Sequence, residues 1–269
     1  MAFLVNIDTE QAARGILAEG LAALARHIGG LPRGDASRAE SIAQLDDPAF
    51  ADALMELMRL VLERGAVVNL TSIREPEEFV RLHLFDSLAC AGLPELESAQ
   101  SVADVGSGAG FPGLPLAALF PEKRFTLIDS VQKKTEFVEH AARVLGLGNV
   151  RAIHARAESA GRAPALREHF DLALCRAVGK LSLILEYALP LVRVGGSAVF
   201  YKTASAAVEI EESRHAIELL GGSAEVRIET EACIDMLPDR NHALYIVRKE
   251  RPTPDAYPRR AGTPAKTPL

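Results

Sequence analysis

ADVGSGAGFPGLPLA, residues 103–117, is the stretch on which the fold turns. The run SVADV (101–105) reads as a short strand that ends at three closely spaced glycines, Gly106, Gly108 and Gly110, and helical periodicity begins near Pro112. Glycine reaches positive φ without a Cβ penalty and lets a ligand approach the backbone. A helix opening just behind it offers unpaired N–H groups. Two ligand readings overlap here. Gly108-Ala109-Gly110-Phe111-Pro112-Gly113 fits the GxGxxG turn of dinucleotide enzymes. Asp104 followed by Gly106-Ser107-Gly108-Ala109-Gly110 fits the GxGxG loop of S-adenosylmethionine enzymes.

Working outward, RFTLID (124–129) is a second strand, with Asp129 at its end, where a carboxylate can accept both ribose hydroxyls of either adenosine cofactor. A helix over 132–146 leads to NVRAIH (149–154), and FDLALC (170–175) follows. A helix over 181–190 and the pair Gly195-Gly196 turn the chain into SAVFYK (197–202), and a long helix is expected over 205–220. AEVRIET (224–230) and HALYIVRK (242–249) come last, joined by the short, turn-like EACIDMLPDRN. Strands alternating with helices predict an α/β fold built on a mostly parallel seven-stranded sheet, and the final pair an antiparallel C-terminal edge. That is the Rossmann-like arrangement of class I S-adenosylmethionine-dependent methyltransferases, whereas the dinucleotide fold is parallel throughout. Pro112 also removes an N–H where a pyrophosphate would want donors, and no room is left for a dehydrogenase's substrate domain.

Three segments are expected. Residues 1–97 read as a helical N-terminal extension packing on the core, with helices over 10–28, 47–64 and 76–91 and a break at GGLPRGDASR (29–38). Residues 98–250 form the Rossmann-like domain. Residues 251–269 are a basic tail whose five prolines exclude a helix or a central strand, although Tyr257 and the Arg259-Arg260 pair suggest that part of it lies against the body.

The 269 residues are 48% hydrophobic and 25% charged, a composition that excludes global disorder. A net charge of -6 argues against coating nucleic acid through a bulk positive field, but residues 246–269 carry a local excess of four positive charges. Cys90, Cys175 and Cys233 are odd in number and not closely paired, which points to a reducing compartment, cytoplasm by default, and away from a metal cluster. MAFLVNIDTE lacks signal-peptide features and no apolar run reaches membrane-spanning length. A monomer is the default.

Glu158 in HARAESA can hydrogen-bond an adenine edge or cap the next helix. Arg176, closing strand four after a core Cys175, should meet a cofactor carboxylate, a substrate phosphate or a local acid. Lys202 holds the equivalent place on strand five, or is a solvated strand end. No catalytic triad, zinc set or HExxH is present, and the scattered histidines read as structural or exposed. None is needed as a general base: a ring nitrogen with a free lone pair can attack a methyl sulfonium, given alignment, desolvation and electrostatic support, for which Arg176 and Lys202 are candidates.

The blocks VNLTSI (68–73), HLFDSL (83–88), ADVGSGAGFPGLPLA (103–117), FTLIDSVQKKTEFVEH (125–140), RAE (156–158), CRAV (175–178) and GGSAVFYKT (195–203), closed by YPRRAGTPAKTPL (257–269), resemble the RsmG (GidB) family of 16S ribosomal RNA (guanine-N7) methyltransferases from about residue 50 to the end. The resemblance implies S-adenosylmethionine as cofactor and methylation of one guanine N7 in the 530-loop region, on 16S rRNA or an assembling small ribosomal subunit, in bacterial cytoplasm. It places the cofactor at Gly106, Phe111, Ala157, Glu158 and Arg176, with Asp129 at the ribose. Asn69, Thr71, His83, Asp86 and Ser87 match recurring polar residues near the pocket, and Arg259 and Arg260 the basic pair of the tail. The chain departs from the family in lacking Trp, in carrying Cys175 where Ser is usual and Thr203 where Gly is usual, and in residues 1–45. Three other readings stay open: a methyltransferase of protein or small molecules, an NAD-linked oxidoreductase, and a non-catalytic ribosome-assembly factor.

Overall fold

The computed structural model describes residues 7–31, 36–176, 179–203, 207–230 and 242–269. The turn expected over 231–241, Cys233 within it, and the end of CRAV at 177–178 lie outside the described residues. Helix α1 (Ile7–Gly30) buries Ala13, Leu17, Leu21, Leu24 and Ile28, a three-and-four spacing that makes one apolar stripe. Each fully buried Leu or Phe of such a stripe contributes roughly 1.5–3 kcal/mol. Helix α2 (Ala36–Leu45), which the break at 29–38 did not foreshadow, leads into α3 (Pro48–Val68). Asp47 caps α3 by accepting the Ala49 N–H at 2.9 Å, and Pro48 takes the first turn, where no N–H is needed. Asn69, left-handed at φ 52°, ends it through an N–H to the Gly65 carbonyl.

The helix expected over 76–91 has three windings, here together α4: Pro76–Phe79, a π-helical Val80–Phe85, and Asp86–Leu88. Such π turns shift side chains out of helical register and are frequent at functional sites. After α5 (Pro94–Ser98) come β1 (Ser101–Val105), α6 (Gly113–Leu119), β2 (Arg124–Asp129), α7 (Gln132–Val144), β3 (Val150–His154), α8 (Ala157–Ala160), β4 (Phe170–Arg176) and α9 (Leu181–Ala188). The chain continues through β5 (Val192–Thr203), α10 (Ala207–Glu212), α11 (Arg214–Leu219), β6 (Gly222–Glu229), β7 (His242–Lys249) and α12 (Thr263–Lys266).

The sheet runs β3-β2-β1-β4-β5-β7-β6. Its first four pairings are parallel, and β7 is antiparallel to both β5 and β6. This is the Rossmann-like, mostly parallel seven-stranded fold expected, with its reversed edge. The α1–α4 residues Leu17, Phe79 and Leu84 share one continuous core with Val102, Leu127 and Leu174 of the sheet. Three local expectations need correction. Gly195-Gly196 do not precede the fifth strand but lie inside it, where Gly195 at φ 87° accompanies the register shift opposite Phe170/Leu172. The helix expected over 205–220 is broken at Ser213. The tail contains a short helix after all, because Pro264 sits in its first turn, where proline's missing N–H costs nothing.

Candidate functional site

The glycine loop is built from β2 as much as from β1. Gly106 and Ser107 both donate their N–H to the Ile128 carbonyl, at 2.8 and 3.2 Å, and Gly110 donates to Ser107 at 2.8 Å. Gly106, Gly108 and Gly110 all have positive φ (75°, 57° and 92°). The constraint differs between them. A Cβ at Gly110 would lie 2.4 Å from Leu114 Cδ1, whereas one at Gly108 would meet nothing within 4 Å. The loop therefore presents bare backbone to open space at Gly108.

Asp129, 8% exposed at the end of β2, fixes both lips of that space: Oδ2 accepts the Gly108 N–H at 2.9 Å and Oδ1 the Val131 N–H at 2.8 Å. Between the lips lies a cavity of about 370 Å³, lined by Gly106, Asp129, Ser130, Val131, Lys134, Arg156, Ala157, Glu158 and Tyr187 among others. It stands at the carboxyl ends of β1, β2 and β3, where open α/β sheets bind ligands. A cavity of about 410 Å³ lies at the opposite ends, beside Ser101, Arg124 and Phe170, without a glycine loop or a buried acid.

Two buried polar atoms behind the loop, Asp104 Oδ1 and Ser107 Oγ, find no hydrogen-bond partner among the described residues. Asp104 is fully buried; its other oxygen accepts the Gly113 N–H at 2.9 Å. Burial raises the carboxyl to about 7, with Asp129 adding to the shift and the Gly113 N–H and Arg176 opposing it.

Beside the loop lies a second cluster. Arg176 donates to Asp86 Oδ2 at 2.9 Å and to His83 Nδ1 at 3.1 Å, and its guanidinium lies 5.5 Å from the Phe111 ring centroid. Of the three partners open to it, the described structure gives Arg176 the local acid. Because guanidinium can only donate, His83 Nδ1 accepts, which puts the imidazole proton on Nε2, 2.7 Å from Thr71 Oγ1. Burial and the Arg176 charge lower the His83 pKa to about 4, with Asp86 opposing. The neutral ring stacks on Phe111, centroids 4.9 Å apart and planes 11° apart. Burial raises the Asp86 carboxyl, but a 2.7 Å hydrogen bond with His242 and the Arg176 charge outweigh it, so its pKa is lowered. Ser87, fully buried, donates to the His83 carbonyl and accepts on its own carbonyl from Tyr201 at 2.9 Å. Tyr201 is thus a core residue, and so is Cys175, whose thiol burial pushes far up.

The predicted residues divide by place. Gly106, Asp129, Ala157 and Glu158 line the cavity, with Gly108, Gly110 and Asp104 shaping its loop. Phe111, Arg176, His83, Asp86 and Ser87 form the adjoining cluster. Asn69 is exposed at the end of α3. Lys202 pairs with Glu209 at 2.7 Å and donates to the Gly179 carbonyl at 3.0 Å. Arg259 is held bidentately by the fully buried Glu186, at 2.6 and 3.0 Å, while Arg260 is exposed. Sequence reasoning missed Lys134 and Tyr187 on the cavity wall and His242 beneath Asp86. Lys134 had a signal, since it stands in the first turn of the helix that follows Asp129; His242 had none, being a lone histidine at a strand start. Among the described residues no cluster of His, Cys, Asp or Glu fits a metal, and no helix is long and apolar enough to cross a membrane.

A mostly parallel seven-stranded sheet with a reversed edge, a glycine loop and an acid closing β2 define a Rossmann-like methyltransferase. The fold is similar to that of the S-adenosylmethionine-dependent methyltransferase SibL (TM-score 0.52, 16% identity, 79% of this chain and 73% of that one). The sequence signature of the rRNA small subunit methyltransferase G family, GidB, matches residues 51–232. Ribosomal RNA small subunit methyltransferase G of Brevibacillus brevis is 42% identical over 211 residues, 78% of this chain and 87% of that protein. The same-named protein of Symbiobacterium thermophilum is 39% identical over 263 residues, 95% of this chain and 98% of that protein. The chain belongs to the rRNA small subunit methyltransferase G family.

Proposed function

We propose that the chain binds S-adenosylmethionine in the cavity beside Gly106–Gly110 and methylates N7 of one guanine in the 530-loop region of 16S rRNA, acting as a single chain in the cytoplasm. The observation that carries the cofactor reading is the loop itself. Bare backbone at Gly108, two buried polar atoms without a hydrogen-bond partner among the described residues and a carboxylate at the rim suit a ligand with an adenosine and a charged end. Asp129 and Glu158 would hold it by hydrogen bonding, Ala157 and Tyr187 by contact. Bound there, S-adenosylmethionine supplies an electrophilic methyl group.

Guanine N7 carries its own lone pair, so this chain needs no general base, and its work is alignment and exclusion of water. His83 fits that role: neutral to about pH 4, it cannot add a repelling positive charge as charge moves onto the base. Phe111 and Arg176, packed on the same cluster, set a rigid floor beside the loop. Arg260, exposed where Arg259 is engaged, is the tail's candidate for a phosphate contact.

The test is methyl transfer from labelled S-adenosylmethionine to unmodified 16S rRNA, naked and within small-subunit particles, followed by nucleoside digestion. Label is expected in 7-methylguanosine at one site. No label on either form, with cofactor binding intact, would reject the RNA substrate and move the search to other methyl acceptors.

A further inference from the structure

The basic tail is tied to the body by contacts that converge on the cavity wall. It starts at Gly221, whose carbonyl accepts the N–H groups of Glu250 and Arg251 at 2.9 and 3.0 Å. Arg167 then donates to three tail carbonyls, Thr253 at 2.6 Å, Tyr257 at 2.8 Å and Pro254 at 3.3 Å. Farther along, Arg259 grips Glu186, a carboxylate with no solvent exposure, and supplies its charge partner. Finally Gly262, at φ 83°, donates its N–H to Glu158 Oε1 at 2.8 Å. Glu158 lines the cavity, and Glu186 precedes Tyr187, which lines it too.

We infer that residues 251–269 are a brace for the cofactor cavity, in which Gly262 and Arg259 are positioning residues that set Glu158 and, through Glu186, the wall bearing Tyr187. The inference rests on the reading of this cavity as the S-adenosylmethionine site. Its physical basis is the small number of orientations left to Glu158. One carboxylate oxygen is fixed by the tail, which leaves the other directed by the same bond. With the Gly262 donor gone, the buried carboxylate would lose that partner and be free to reorient, which alters what the ligand meets. Arg259 supports the same assignment, because its charge is matched inside the protein instead of being offered to a phosphate.

The experiment uses the full chain. Gly262→Pro removes the N–H and cannot adopt the positive φ; Arg167→Ala removes three side-chain bonds to the tail, together with one to the Gly161 carbonyl, at a residue that does not line the cavity. S-adenosylmethionine affinity is measured by titration calorimetry, rRNA affinity at several salt concentrations, and initial rates against each substrate. The brace predicts a rise of about tenfold in the cofactor Kd and KM for Gly262→Pro, the equivalent of one lost charge-assisted hydrogen bond. It predicts a smaller rise for Arg167→Ala, with kcat at saturating cofactor and the salt slope of RNA binding retained. Wild-type cofactor affinity in both natively melting variants overturns it, as does loss of RNA affinity with the cofactor Kd unchanged. Should Gly262→Pro melt below the assay temperature, Arg167→Ala decides by the same comparison. A wild-type chain that fails to bind S-adenosylmethionine overturns instead the reading of the cavity on which the brace rests.

Discussion

Asp104→Asn tests how the glycine loop is supported. Asp104 is fully buried, with one oxygen on the Gly113 N–H and the other without a partner among the described residues, and burial raises its pKa from 3.8 to about 7. The native state thus keeps a proton that the unfolded chain has already released. Below the unfolded pKa both states are protonated and Asp104 has no pH-dependent effect. As pH rises from there to about 7 the unfolded state is favoured, and stability falls. Above the folded value the loss is constant. Roughly three pH units at about 1.4 kcal/mol each make the full loss about 4 kcal/mol.

Asparagine cannot ionise, and its carbonyl oxygen can still accept the Gly113 N–H. The stability of Asp104→Asn minus that of wild type should therefore grow by about 4 kcal/mol between about pH 4 and pH 7, then level off. Urea unfolding of both proteins across that range measures the difference, and the subtraction cancels the titrating groups that do not interact with Asp104. A pH-independent difference, or one that shrinks as pH rises, would refute the reasoning.

Three further outcomes are expected. His83 titrates in the opposite sense: its folded pKa, about 4, lies below the ordinary 6.5, so it favours folding above that value and the benefit is lost as pH falls through the folded one. Its imidazole NMR signals should show the Nε2–H form with no titration between about pH 8 and pH 5, and a midpoint near the ordinary value would contradict its burial. Gly108→Ala should cost only the left-handed backbone penalty of about 1–2 kcal/mol, while Gly110→Ala, with Leu114 in the way, should cost more; denaturation midpoints rank them, and equal costs would mean that Leu114 yields freely. Arg176→Met leaves the buried Asp86 with His242 as its remaining side-chain partner among the described residues and should destabilise by about 3–5 kcal/mol, part of which Asp86→Leu restores; a double-mutant cycle with no coupling would remove the pair from the account.

The seven strands and the reversed edge were legible because each depends on local pattern: β-branched runs, glycine stops, and the missing crossover before HALYIVRK. The glycine loop and Asp129 were legible as neighbours because their places follow from a strand–loop–helix unit. What could not be read were partners far apart in sequence. Asp86 meets Arg176 and His242, 90 and 156 residues further along the chain, and no periodicity encodes that meeting. The π winding of Val80–Phe85 is equally silent, since the apolar pattern of α4 fits an ordinary helix and only packing against Phe111 shows which way His83 turns. The tail misled for a related reason. A pair of arginines reads as surface charge until the buried carboxylate facing one of them is known.

The place of β7 in the sheet has a consequence for how this protein is made. The last strand lies inside the sheet, between β5 and β6, and among the described residues β6 pairs only with it. During synthesis β5 must wait with an open edge until residue 249 has emerged, and β6 waits with no partner at all. Chains interrupted before that point carry bare strand edges able to pair with one another. Premature termination late in this gene should therefore yield aggregation-prone fragments, and pulse-labelled nascent chains should turn protease-resistant late and abruptly.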